Sequence, residues 1–192
     1  MENFVITKCI DPDGRLGLMP RLLEIYEAAR RYMRSTGNME QWTGGYPSRE
    51  TIMDDAAHRW LYLVECRDMQ APCSCKDAHD VAGGHTTDEC RDVVGCFCLR
   101  PSPEPNYSFI ENGRWLDDGP YHVIHRLASD GSVKGIGRAV FGWCMERCGN
   151  LRVDTHADNA TMLSLLDRLG FTRCGTIYVE DGTPRTAFQW HR

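Results

Sequence analysis

Tyr121–Cys148 reads YHVIHRLASDGSVKGIGRAVFGWCMERC: an apolar strand-like run, a glycine-rich loop and a helix-like stripe follow one another without a break. The stripe carries Ile136, Val140, Cys144 and Cys148 at helical spacing. Gly135-Ile136-Gly137 falls where a strand hands over to a helix. There the N–H groups of the first helical turn lack intrahelical acceptors and point out of the loop, which suits an anion such as phosphate or pyrophosphate. A Cβ at either glycine would hold a ligand oxygen away from the backbone. Lys134 and Arg138 flank the pair and add positive charge.

Other phosphate loops fit less well. A P-loop ends in Gly-Lys-Ser/Thr, whereas the order here is Lys134-Gly135-Ile136. A dinucleotide fingerprint needs a third glycine where Val140 stands, early in a parallel α/β repeat, and this loop comes late in a short chain. An ordinary strand-to-helix turn with no ligand stays open on the loop alone.

The 192 residues are enough for one core without metal or disulfide staples, so a single domain over 1–192 is expected. A net charge of −5 argues against a broad nucleic-acid-binding face. No apolar run approaches the length of a membrane span, and the start MENFVITKCI has no basic segment leading into a long apolar core. A cytoplasmic protein with no membrane partner is the expectation. Its ten cysteines are then read as thiols. Cys96 and Cys98 on a strand, and Cys144 and Cys148 one helical turn apart, serve as small buried hydrophobes.

Along the chain, Phe4–Cys9 reads as a strand, and Gly17–Arg34 as an amphipathic helix with Leu22, Ile25, Tyr26, Ala29 and Met33 on one face. Glycines and Pro47 break the pattern over Thr36–Pro47, and Ser48 is placed to cap a second helix. Trp42 and Tyr46 in that loop are candidates for a substrate-binding wall, or for aromatics folded back onto the core. Trp60–Cys66 and Val93–Leu99 are strands, Tyr107–Ile110 reads as another, and Tyr121–Ala128 leads into the glycine loop. Leu151–Thr155 is a short strand. Asp158 or Asn159 caps a last helix with Met162, Leu165, Leu166 and Leu169 spaced i, i+3, i+4, i+7, and Gly170 ends it. Cys174–Val179 and Arg185–Trp190 close the chain as a hairpin. This order predicts an α/β or α+β fold, a mixed sheet with helices on both faces.

Asp68–Asp92 interrupts the pattern and contains Cys73, Cys75, Cys90, His79 and His85. Cys73-x-Cys75 is tighter than the usual zinc grip and the remaining spacings match no standard finger. The stretch is read as a polar, cysteine-rich insertion without metal, with a zinc site as the alternative.

The element order, together with the residues at its joints, resembles the GNAT superfamily of acetyl-CoA-dependent N-acetyltransferases over nearly the whole chain. The family loop Gln/Arg-x-x-Gly-x-Gly/Ala is matched by Ser132-Val133-Lys134-Gly135-Ile136-Gly137, with Ser132 in place of the usual first residue. The family's Asn and the short helix ending in Gly-Phe are matched by Asn159 and Leu169-Gly170-Phe171. The resemblance implies a mostly antiparallel mixed sheet and transfer of acetyl from acetyl-CoA to a primary amine by direct attack in a ternary complex. The amine would be borne by a small molecule or peptide. It further implies that the CoA pyrophosphate rests on the N–H groups of Val133–Arg138. The pantetheine arm would pair with Leu127, Ala128 and Ser129, and Asn159 would hold it from the other side. The Leu127 N–H would polarise the thioester carbonyl. The family's frequent tyrosine acid is replaced by Leu166, seven residues beyond Asn159. That leaves His125 as the first candidate for proton transfer, with His156 and Tyr178 behind it. It also leaves open an inactive acyl-CoA sensor or interaction module of the same fold. A homodimer stays open as an assembly.

Overall fold

The computed structural model describes residues 4–14, 17–66 and 92–192. Seven strands form one sheet: β1 (Phe4–Lys8), β2 (Leu61–Cys66), β3 (Asp92–Pro101), β4 (His122–Ser129), β5 (Asn150–Thr155), β6 (Thr172–Tyr178) and β7 (Pro184–His191), in the spatial order β1-β2-β3-β4-β5-β7-β6. Every neighbouring pair is antiparallel except β4 and β5. Helices α1 (Leu18–Ser35) and α2 (Arg49–Ala57) cover one face, and α3 (Ile136–Arg147) and α4 (Ala160–Arg168) the other. The expected mixed, mostly antiparallel sheet between two helical layers is therefore the observed fold.

The alternation of apolar residues on the central strands feeds both layers. Leu61 and Leu63 join Leu22, Ile25, Tyr26 and Ile52 under α1 and α2, while Val64 joins Val140, Phe141 and Cys144 under α3. In β3, Val94 is an extra residue, because Val64 pairs with Gly95 and Glu65 with Val93. This bulge resets the parity, so that Cys96 faces α1 and Phe97 faces α3. All four residues of the predicted α3 stripe are buried. In α4 only Leu166 is fully buried; Met162 and Leu165 pack partly on the core and turn the rest of their surface to a cleft. Truncating Leu166 to alanine would cost about 2–5 kcal/mol, the usual range for a closed core site.

Local chemistry sets the helix ends. The Ser48 hydroxyl accepts from the Thr51 N–H at 3.3 Å, and the Asn159 carboxamide from the Met162 N–H at 3.1 Å. The seven described cysteines are all buried and unpaired.

Tyr107–Ile110 is not a strand. Pro105 opens a 3₁₀ turn, Pro105–Tyr107, whose Asn106 N–H is capped by the Glu104 carboxylate at 3.4 Å. Only Glu111 bridges β6, at Thr176. The loop from 102 to 121 is held instead by a polar knot. Gln189, fully buried, donates to Asp117 and Asn150 and accepts from the Leu116 N–H. All its hydrogen-bonding groups are therefore used, as burial requires. The cysteine-rich insertion expected at 68–92 falls, except for Asp92, outside the described residues.

Candidate active site

β4 and β5 pair only at His122–Leu151 and Val123–Arg152. Beyond those two pairs the strands diverge, so the β5-facing edge of Ile124–Ser129 carries no strand partner. Between them opens a cleft of about 1030 Å³. Its walls come from the α1–α2 loop, β4, the glycine loop, the start of α4 and the β6–β7 turn.

At one end stands the glycine loop. Gly131 and Gly135 are left-handed, at φ 82° and 89°, a region glycine enters without the Cβ clash. Gly135 is the N-cap of α3 and offers no side chain to the first-turn N–H groups. Those donors are thus free for a ligand, and the helix dipole adds partial positive charge. Gly137 has a packing function: a Cβ there would stand 2.8 Å from Leu165 Cδ2, so the glycine lets α3 and α4 approach across the cleft floor. The loop is fastened from behind. Asp130 pairs with Arg21, which also donates to the Val93 carbonyl at 3.0 Å, and Asp130 accepts from the Ser132 N–H and hydroxyl at 2.9 and 2.6 Å. Val133, Lys134, Gly135, Ile136 and Gly137 line the cleft; Ser132 and Arg138 stand exposed beside it.

Leu127, Ala128 and Ser129 also line the cleft. Cys96 pairs with Ala128 and Cys98 with His125, so Phe97 is opposed by two residues, Arg126 and Leu127. This is a β-bulge, which breaks the ladder and re-aims the backbone locally. Arg126 occupies it at φ 53°, a conformation costing a non-glycine residue about 1–3 kcal/mol. Its guanidinium meets the buried Asp55 of α2 with two hydrogen bonds, Nε at 2.7 Å and Nη2 at 2.5 Å, and donates to the Tyr46 hydroxyl at 2.9 Å.

At the other end, His125 Nε2 lies 2.9 Å from Glu104, and Arg100 Nη1 reaches the same carboxylate oxygen at 2.9 Å. Glu104 is 4% exposed. Burial alone would raise its pKa, but the hydrogen bond from His125 and the charges of His125 and Arg100 outweigh it and hold the carboxyl below the usual range. Nearby, Tyr107 donates to Asp154 at 2.7 Å, and Arg185 is 4.0 Å from the other Asp154 oxygen.

The predicted site residues thus divide. His125, Leu127, the glycine loop, Asn159, Trp42 and Tyr46 meet at one cleft. Trp42 packs edge-on against Tyr26 with ring centroids 5.7 Å apart, and both its ring and Tyr46 form part of the wall. Asn159, besides capping α4, donates to Gln41 at 3.1 Å and so joins the α1–α2 loop to α4. Tyr178 does not line the cleft; it donates to Glu111 at 2.6 Å, and that hydrogen bond, followed by slight desolvation and the Glu111 charge, pushes its pKa up. His156 accepts from the Asp158 N–H at 3.3 Å and lies outside the cleft lining. Burial drives the Cys96 and Cys98 thiols up to about 12, and the Arg126 charge beside Cys98 does not reverse it, so neither is a nucleophile. Among the described residues no group of three or more His, Cys, Asp or Glu side chains could hold a metal ion.

Arg100 and Arg126 went unnoticed in the sequence, as did the two acids they meet. Asp55 carried a signal: with Ile52 and Ala56 it falls on the apolar face of α2, where an acid needs a buried partner. Glu104, in the run Pro103-Glu104-Pro105, carried none.

No protein-family model matches the sequence, and no curated protein matches it. Solved structures do. A GNAT-family acetyltransferase from Streptococcus agalactiae superposes with a TM-score of 0.73 at 24% identity, over 98% of this chain and 95% of that one. A second, from Listeria monocytogenes, gives 0.62 at 16% identity over 98% and 95%. An alanine N-acetyltransferase of a ribosomal protein from Escherichia coli gives 0.53 at 12% identity over 98% and 93%. The chain has the fold of the GNAT acetyltransferases.

Proposed function

On this fold, we propose that the protein binds acetyl-CoA in the β4–β5 cleft and transfers its acetyl group to a primary amine. The observation that carries the reading is the uncapped N-terminus of α3, opening on a cleft whose strand edge is free. The two features fit the two ends of one ligand. The N–H groups of Val133–Arg138, with Lys134 beside them, receive a pyrophosphate. The free edge at Leu127, Ala128 and Ser129 receives an extended amide-bearing arm as a sheet receives an added strand. Met162 and Leu165, left half-covered, supply its apolar wall. Asn159 Nδ2 exchanges Gln41 for the arm.

Acetyl-CoA supplies the activated thioester. The Leu127 N–H polarises its carbonyl and stabilises the charge that develops on the oxygen. His125, held by Glu104, takes a proton from the acceptor's ammonium, and the neutral amine attacks the carbonyl carbon directly. The N–C bond forms and the C–S bond breaks. The proton shed by the new amide nitrogen goes to the leaving sulfur, and the one on His125 returns to solvent, so the products are the amide, CoA thiol and one proton. No role is assigned to Tyr178. Trp42 and Tyr46 border the acceptor's entry, where an amine on a small molecule or a peptide terminus fits equally.

Calorimetry with acetyl-CoA, parent against Gly135→Glu, tests the cofactor reading. Binding by the parent and its loss in the variant are expected, because a carboxylate would then occupy the anion cradle. Equal behaviour of the two proteins would remove the proposal. Release of CoA thiol across an amine and peptide panel identifies the acceptor. Tight acetyl-CoA binding with no release on any acceptor would favour a binding module in which transfer has been lost.

A further inference from the structure

Arg126 combines three observations that the reading above leaves unused. It stands in the left-handed region inside a strand, where glycine would be the unstrained choice. Its guanidinium is spent on a fork to Asp55, two residues whose side chains are only 15% and 3% exposed. Its remaining nitrogen reaches Tyr46, in the loop that borders the acceptor's entry. A buried ion pair is a poor source of stability, since desolvation offsets most of the attraction. A fork of fixed geometry is, by contrast, a good device for fixing a backbone angle. What it fixes is the bulge, and the next peptide along is the Leu127 N–H.

We infer that Asp55 and Arg126 are a positioning pair that clamps the β4 bulge and so aims the Leu127 N–H at the thioester carbonyl. Tyr46 links that clamp to the acceptor-side loop. This inference rests on the acetyl-CoA reading. Neither Asp55 nor Arg126 touches the reacting atoms in it. They act by denying the bulge its other conformations, so that the donor is in place before charge develops. Lysine at 126 would keep the charge but lose the fork.

The test needs no acceptor. The isotope-edited infrared band of the acetyl carbonyl in carbon-13-labelled acetyl-CoA reports its polarisation directly. It is recorded bound to the parent, to Asp55→Asn, to Arg126→Gly and to the double variant, with affinity by calorimetry and stability by thermal melting. The parent should shift the band to lower wavenumber than in water. Each variant should keep acetyl-CoA affinity within about three-fold, because the pyrophosphate cradle is untouched, yet lose most of the shift. The double variant leaves no buried charge unpaired and accepts the left-handed angle without strain, so it should melt above both single variants and still lack the shift. A purely structural pair would show the opposite, with the shift returning alongside stability. A folded double variant with the parental band overturns the inference while the acetyl-CoA reading stands. A parent that binds acetyl-CoA without any shift does the same. A parent that binds no acetyl-CoA removes both.

Discussion

Glu104→Gln is the most informative single change, because the carboxylate is both a buried ion and the anchor of His125. Glutamine keeps the shape and one acceptor oxygen and removes the charge. Breaking a fully buried ion pair costs about 3–5 kcal/mol. Here the partners keep some water, with the Arg100 and His125 side chains 27% and 18% exposed, so a smaller loss applies. About 1–2 kcal/mol is expected, between the worth of a neutral hydrogen bond and that of one to a charged group. For a chain of this length that lowers Tm by about 2–8 °C. The pH dependence has a definite sign. The folded pKa of Glu104 lies below its unfolded value, so its contribution is complete above the unfolded carboxylate range and is lost as pH falls through the folded pKa. The difference in Tm between parent and variant should therefore shrink as the solution is taken below about pH 5. In turnover assays kcat should fall about 10- to 100-fold, part of the usual yield of a positioned base, while KM for acetyl-CoA stays within about two-fold. A variant with parental kcat from pH 6 to 9 would refute the assignment of proton acceptance to the His125–Glu104 pair. A parental Tm would refute the account of the buried charge.

Trp42→Ala should raise the acceptor KM by about five- to ten-fold with acetyl-CoA affinity unchanged, and destabilise by about 1–3 kcal/mol through the lost contact with Tyr26; an unchanged acceptor KM would place the acceptor elsewhere. Under native conditions iodoacetamide should modify none of the seven described cysteines and leave turnover intact, since all are buried and burial holds Cys96 and Cys98 up to about 12; mass spectrometry before and after denaturation reads this. Cys66 and Asp92 face each other across β2 and β3, so replacing residues 67–91 by a short turn should preserve acetyl-CoA binding. Stoichiometric zinc in the purified protein, lost together with thermal stability on Cys73→Ser/Cys75→Ser, would contradict that expectation and bring the metal alternative forward.

What the amino-acid order determined by itself is what depends on neighbours a few residues apart. The glycine turn before the buried stripe of α3, the Ser48 cap, the cap at Asp158 or Asn159, which falls to Asn159, the Gly170 stop and the closing hairpin are all written in local spacing, and each is found where it was read. Tyr107–Ile110 failed by the same standard: its pattern suited a strand, but Pro105 and the Glu104 cap start a turn there, and the Tyr107 ring packs on Trp115 and Tyr121 instead. The chemistry of the cleft was decided by longer connections. The parting of β4 from β5 depends on how two strands separated by a whole helix diverge, and no local period encodes it. Glu104 meets His125 across 21 positions, and Asp55 meets Arg126 across 71. A charged side chain in a sequence does not announce which buried partner will neutralise it. Only the folded chain brings the two together, because burial makes the pairing obligatory and the sheet's geometry selects the partner.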